Sequence, residues 1–333
     1  MTDAPRRRVA VLKGGSSLER AVSLRSAAQV EDALGVLGHE VSGIDVEADL
    51  VEQLLALQPD AVFIALHGPQ GEDGTIQSLL EALGLPYTGS GPAACVRGTD
   101  KALAKHLMRE AGIPTPDFHS LRQRAIRDLG AGGALPSIEQ RLGFPLVVKP
   151  ARGGSALGVK FASSSSELPG AMVGAFSYDG TILIERHIRG RDLAVSVLGA
   201  TGDTAEGDEA RPPSDRRPQA LPIVEAVPRE EGFYDYESRY GIGMTTFVCP
   251  AELPEEITRR ACDLAIEVFE LLGCHGFARV DLMVDHETAE LWVLETNVIP
   301  GMTETSLLPQ AADAAGIAFE ELVARMLESA FTR

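Results

Sequence analysis

The 333-residue chain is short of several things, and each shortage excludes something. Its four cysteines (Cys95, Cys249, Cys262 and Cys274) form no CxxC pair and no zinc spacing, so they read as buried thiols of a reducing compartment. No apolar run approaches a membrane span and nothing resembles a signal peptide, so a cytoplasmic protein with no membrane partner is expected. Positive charge is scarce: 30 Lys and Arg against 48 Asp and Glu leave a net charge of −18. With no basic face to neutralise phosphates, a nucleic-acid partner is not expected. GxxxxGK[ST] is missing, which argues against a P-loop enzyme. Lysine is rarer still, with only Lys13, Lys101, Lys105, Lys149 and Lys160, and asparagine occurs once, at Asn297. The remainder is ordinary for a soluble globular protein, with 44% hydrophobic and 23% charged residues, and the length predicts two or three domains.

The lone asparagine lies in the stretch around which the chain is organised, residues 278–308. Residues 278–284 and 291–297 alternate, and 286–290 is a polar connection of hairpin length, so a β-hairpin running into a Gly-containing loop is predicted. With period two, Arg279, Asp281 and Met283 share one face of the first strand, and Val293, Glu295 and Asn297 one face of the second. A register opposing Asp281 to Glu295 also opposes Arg279 to Asn297. Opposed positions lie roughly 4.5–5.5 Å apart, where like charges destabilise. A divalent cation would remove that penalty, and hard oxygen donors select Mg²⁺ held with substrate phosphates. The alternative is a solvated hairpin edge whose carboxylates never meet.

From the N-terminus, residues 8–13 (RVAVLK) form a short strand ending at Gly14 and Gly15, after which Ser16 and Ser17 can cap a helix with Glu19 and Arg20 in its first turn. This is either an anion-friendly turn or an ordinary capped helix. Residues 60–66 (DAVFIAL) form a second buried strand ending at His67, a ligand candidate, and 75–83 a helix. The alternation predicts an open parallel α/β domain with ligands at strand C-termini. Residues 89–94 (GSGPAA) match GxGxxA only weakly, with Pro92 inside the pattern. A helix over 99–111 carries Lys101 and Lys105, an extended linker covers 113–116, and an apolar strand over 143–150 carries Lys149 at its end. The glycine loop of 152–159 follows; it either closes backbone N–H groups over phosphates or is a hairpin turn with an incidental lysine. Strands are predicted over 181–185 and 193–199, and helices over 255–272 and 318–331. Polar residues 201–219 read as a mobile insertion. Residues 232–240 (GFYDYESRY) read as a lid segment or an interior packing motif.

In order, GGSSLERAVSL, LHGPQGEDGTIQ, LPYTGSG, VVKPARGGSALGV, FYDYESRY, FARVDLMV and ETNVIPGMTETSLLP resemble the D-alanine–D-alanine ligase family of the ATP-grasp superfamily. The resemblance covers nearly the whole chain outside 201–219. It implies an α/β fold, α+β in part, of ATP-grasp architecture: an open parallel α/β substrate domain over 1–98, then two lobes clasping ATP over 99–187 and 188–333. The implied activity is ATP-dependent joining of two D-alanines through an acyl phosphate, for peptidoglycan precursor synthesis. A relative joining a different amine, or an ATP-binding protein without catalysis, are the alternatives. ATP and two Mg²⁺ ions, for which Mn²⁺ can substitute, are the implied cofactors, and the implied assembly is a homodimer.

By similarity, Lys101 and Lys149 bind ATP phosphates beneath the loop of 153–158, with its Gly154 and Ser155. Glu185 and the backbone of 186–188, Ile188 included, read adenine; Asp192 takes the ribose, and Arg239 and Met283 complete the nucleotide site. Asp281, Glu295 and Asn297 hold the metal ions. Glu19 pairs with the first substrate's ammonium, His67 lies near its carboxylate, and Arg279 stabilises the oxyanion. Gly301, Ser306 and Leu307 seat the second D-alanine, while Ser155 and Tyr240 close over the site with Glu19. The chain departs from the family's usual residues at Arg239 (for Lys), Gly153 (for Glu), Asp192 (for Glu) and His187 (often aromatic). It also departs at Val298-Ile299 and Glu304-Thr305 near the second substrate. Tyr240 resembles the dipeptide-forming members.

Overall fold

Apolar runs and alternating patterns sort into three sheets. The structure, a computed structural model, describes residues 5–199, 217–228 and 245–333. The expectations for Arg239, Tyr240, the segment 232–240 and nearly all of 201–219 lie outside the described residues.

The chain runs β1 (Arg8–Lys13), α1 (Arg20–Val36), β2 (Glu40–Asp45), α2 (Leu50–Leu57), β3 (Ala61–Ile64), α3 (Thr75–Leu83), α4 (Pro92–Thr99) and α5 (Lys101–Glu110). There follow β4 (Phe118–Arg122), α6 (Gln123–Leu129), α7 (Leu135–Leu142), β5 (Leu146–Pro150), β6 (Lys160–Ala162), α8 (Leu168–Phe176), β7 (Thr181–Arg186) and β8 (Gly190–Leu198). The remainder is β9 (Gln219–Ala220), β10 (Val224–Pro228), β11 (Thr245–Val248), α9 (Glu255–Leu272), β12 (Phe277–Asp285), β13 (Leu291–Asn297), α10 (Leu307–Ala314) and α11 (Phe319–Glu328).

Val9, Ala10, Val11 and Leu12 are buried on both faces of β1, as a central parallel strand requires, with β2 and β3 parallel on either side. Helices from the far end of the chain complete this layer: Val9, Val11 and Phe63 share one core with Leu308, Leu322, Val323 and Met326. The second sheet, β4–β7–β5–β6, is antiparallel throughout and packs on α7 and α8. The third, β11–β10–β8–β12–β13 with β9 on β8, is also antiparallel and buries one face against α9. The family's two-lobed arrangement behind a parallel α/β unit is thus the arrangement seen.

Two local expectations change, and a third helix end is sharpened. The first helix begins at Arg20 with Glu19 at its N-cap. Ser17 Oγ does not cap it further on; it accepts the Glu19 amide at 3.1 Å and donates to the His67 carbonyl at 2.7 Å. The helix expected over 99–111 is α5, separated from α4 by Asp100, whose carboxylate caps α5 by accepting the Leu103 amide at 3.1 Å. Within GxGxxA, Pro92 takes the first turn of α4, where its missing N–H costs nothing. Gly89 has φ +82°, and a Cβ there would lie 3.1 Å from the Phe277 ring, so that glycine serves packing.

Candidate active site

β12 and β13 pair with Asp281 opposite Glu295 and Arg279 opposite Asn297, the register that alternation and charge predict. One part of that expectation is overturned. A bulge beyond the carboxylate pair sets Val293 opposite Leu282, and both are fully buried in the core against α9. Val293 therefore does not share the face of Glu295, and Trp292 takes the position opposite Met283. One extra residue in a strand resets the alternation, which a strict period of two cannot anticipate.

β8 lies along the other edge of β12, so three rows run across one face of the sheet. They are Ser196–Arg279–Asn297, Ala194–Asp281–Glu295 and Asp192–Met283–Trp292. The intervening row Leu193–Leu282–Val293 is buried against α9. The same alternation thus yields a core face and a face bearing charge.

Both carboxylates of the Asp281–Glu295 pair meet a cation. Arg279 donates from Nε and Nη2 to the two Asp281 oxygens at 2.7 and 2.9 Å. Lys101 Nζ stands 3.5 Å from Glu295 Oε2 and donates to the Gly153 carbonyl at 2.5 Å. Asn297 Oδ1 accepts the Ile299 amide at 3.1 Å, which fixes the side chain's orientation. Two carboxylates and an amide oxygen are a hard donor set suited to a Mg²⁺ ion that keeps phosphate ligands. Among the described residues no group of three His, Cys, Asp or Glu could hold a metal, so Asn297 and phosphate oxygens would have to complete the shell.

On the facing sheet, Lys149 is not incidental. Its Nζ lies 2.6 Å from Glu185 Oε1, while Lys105 Nζ lies 3.0 Å from Oε2. Burial pushes the Glu185 carboxyl up, but the two lysines outweigh it and hold it below the usual range. Lys105, to which the sequence assigned no role, is fully buried, and desolvation brings its ammonium down to about 8. Its signal was present: it is one of only five lysines, one helical turn beyond Lys101. In the adjoining segment the Arg186 and His187 amides donate to the Asp117 and Pro145 carbonyls, and Ile188, which follows them, is buried.

A cleft joins the layers and is lined by Glu19, His67, Gly154, Ser155, Arg279, Asn297, Gly301, Ser306 and Leu307. Val22, Glu72, Phe247, Thr303 and Thr305 also line it, and the sequence did not single out four of these. Ser155, held at φ +55°, donates its hydroxyl to Glu19 Oε1 and so closes the glycine loop onto α1. Desolvation, aided by Glu72, pushes the Glu19 carboxyl up against the opposing pull of Ser155, His67 and Lys101. His67 Nε2 lies 3.1 Å from Ser26 Oγ, which accepts the Met302 amide, and Nδ1 lies 3.7 Å from Glu72. Ser306 Oγ accepts the Thr303 amide at 3.0 Å. Val298 and Ile299 do not face the cleft: they are buried at 1% and 4% exposure in the core with Tyr87 and Cys95, where apolar side chains are what packing demands. Lys101, Lys149, Glu185, Asp281 and Glu295 lie beyond the lining just named, toward the interface between the two antiparallel sheets.

A parallel α/β layer and two antiparallel lobes, with lysines facing a carboxylate-bearing strand pair, define the ATP-grasp class. Residues 46–90 match the family model "D-ala D-ala ligase N-terminus" and 107–328 the model "D-ala D-ala ligase C-terminus". The chain belongs to the D-alanine–D-alanine ligase family. It is 43% identical over 327 residues to a D-alanine–D-alanine ligase of Syntrophotalea carbinolica, covering 98% of this chain and 97% of the relative. The crystal structure of the Bacillus anthracis D-alanine–D-alanine ligase superposes with a TM-score of 0.81 at 34% identity, over 98% of this chain and 97% of that one. Its complex with ATP superposes at 0.79 and 31% identity, over 98% of each chain.

Proposed function

We propose that the protein joins two D-alanines to D-alanyl-D-alanine with conversion of ATP to ADP and phosphate, supplying a peptidoglycan precursor. The observation that carries this reading is the single cleft in which Glu19, His67, Ser155, Arg279, Ser306 and Leu307 converge from separate parts of the chain. The carboxylate of the first D-alanine attacks the γ-phosphate, and the amine of the second attacks the resulting acyl phosphate, expelling phosphate. Both partners of the first step are anionic, so charge neutralisation dominates the barrier. Lys101 and Lys149 would supply it at the phosphates, under the loop of 153–158. Asp281, Glu295 and Asn297 would hold Mg²⁺, which supplies further neutralisation of phosphate oxygens. Glu185 and Ile188 would read adenine, with Asp192 and Met283 alongside, and Arg239 and Tyr240 would act from the neighbouring segment.

At the amino-acid end, Glu19 in its ionised form would pair with the first ammonium, and His67 would lie near that substrate's carboxylate. Arg279, oriented by its two hydrogen bonds to Asp281, would stabilise the oxyanion of the tetrahedral intermediate. Gly301, Ser306 and Leu307 would seat the second D-alanine. The same reading makes the protein a cytoplasmic homodimer, divided at 1–98, 99–187 and 188–333, with no nucleic-acid or membrane partner. Among the described residues no helix is long and apolar enough to cross a membrane.

A ligase for a different second amine is the competing reading, motivated by Val298-Ile299 and Glu304-Thr305. Burial of the first pair weakens it, leaving Thr305 as the departure that lines the cleft. Phosphate release with ATP, Mg²⁺ and D-alanine, with mass spectrometry of the product, tests both. A D-Ala-D-Ala mass supports the proposal; turnover only when another amine accompanies D-alanine overturns it.

A further inference from the structure

Lys101 and Lys105 stand four residues apart on one face of α5, yet they serve different sheets. Lys101 reaches Glu295 on β13; Lys105 turns fully inward to Glu185 on β7. The Lys105 ammonium also donates to Thr115 Oγ1 at 2.6 Å, and that hydroxyl donates to the Val293 carbonyl at 2.8 Å. We propose that Lys105 is a positioning residue for base recognition: it keeps Glu185 ionised and aimed at the nucleotide without touching the nucleotide itself. This inference rests on the reading of Glu185 as the adenine-recognising carboxylate.

The Glu185 side chain is 4% exposed, and a carboxylate so buried is sustained only by charged partners. One of its two cations, Lys149, is shared with the proposed phosphate site. The other, Lys105, is 1% exposed at its side chain, and its ammonium meets Glu185, Thr115 and, 5.6 Å from the ring centroid, Phe118. The Thr115 link ties the same ammonium to β13, the strand that bears Glu295, so the base-reading and phosphate-end groups share one anchor. An ionised carboxylate accepts hydrogen bonds only, so it takes the amino N–H of adenine and disfavours a 6-oxo purine. A protonated Glu185 would lose that distinction.

The test compares Lys105→Met with wild type, using ATP and ITP. The apparent KM for ATP is expected to rise about tenfold and the preference for ATP over ITP to fall about tenfold, with the KM for D-alanine within about twofold. Thr115→Val, which keeps the ammonium and removes one of its bonds, should shift the same two quantities by about threefold. If Lys105→Met does not fold, Thr115→Val decides. A folded variant with a lowered melting temperature but unchanged ATP KM and ATP/ITP ratio would reduce Lys105 to a packing residue and overturn the proposal. Wild-type protein that fails to turn over D-alanine would refute the activity instead. Calorimetric binding of ATP and ITP to wild type and variants then judges Lys105 by the same ratios.

Discussion

Glu295→Gln separates the charge on the β12–β13 face from its shape. Glutamine keeps the length, the backbone register with Asp281 and one carbonyl oxygen, and removes one negative charge. The lost partner is Lys101, 3.5 Å away. At an effective dielectric near 20 that pair is worth about 5 kcal/mol of gross attraction. The Glu295 side chain is 21% and that of Lys101 9% exposed, so desolvation cancels most of it and the net loss of stability should be about 1 kcal/mol. Catalysis should suffer more. An anionic oxygen donor to Mg²⁺ disappears where two anions must meet, and losing one such electrostatic group costs about 10²- to 10³-fold in kcat. The assay is steady-state ADP release as a function of Mg²⁺, with far-ultraviolet circular dichroism to verify folding. The expected signature is a fallen kcat and a higher Mg²⁺ requirement in a folded protein. Near-wild-type turnover at the wild-type Mg²⁺ requirement would refute the metal assignment.

Three further outcomes follow from the geometry. Because burial raises the Glu19 pKa, the folded protein binds the extra proton above 4.5, so this group's stabilisation is present below 4.5 and drains away as pH rises. Glu19→Gln should flatten that part of the melting-temperature profile while abolishing ligation; a profile parallel to wild type would contradict the assigned shift. At Gly301 an added Cβ would come within 2.7 Å of Ser306 Oγ, so Gly301→Ala should displace that hydroxyl and raise the KM for the second D-alanine about tenfold, and unchanged kinetics would dissociate Ser306 from that subsite. Burial pushes the Cys95 and Cys274 thiols up to about 12, so neither should react with iodoacetamide in the native protein at pH 8, whereas both should after unfolding; rapid native alkylation of either would disprove it.

Much of the site was legible in the chain because its determinants are local. The Asp281–Glu295 and Arg279–Asn297 register follows from alternation, a short polar connection and the cost of opposing like charges. Residues 255–272 announce a helix by the spacing of apolar side chains, and that is α9 to the residue. The glycine loop behind Lys149 and the strand leading toward His67, seen as Ala61–Ile64, were likewise readable, since each is a few consecutive residues.

What the tertiary structure decided concerns groups far apart in sequence or hidden by an irregularity. The bulge that turns Val293 into the core and Trp292 onto the charged face depends on how β12 sits between β8 and α9. Neither alternation nor spacing says that Ser155 will meet Glu19, 136 residues away, which only the family resemblance implied, or that Lys105 will be buried on Glu185 while Lys101, one turn earlier, reaches the next lobe. Val298 and Ile299 look like substrate-site departures in the chain and prove to be core. Periodicity fixes which residues share a face, because it is a property of one strand or helix. The partners those faces meet are set by packing among elements, which buries Lys105 and Glu185 together so that each sustains the other's charge against desolvation.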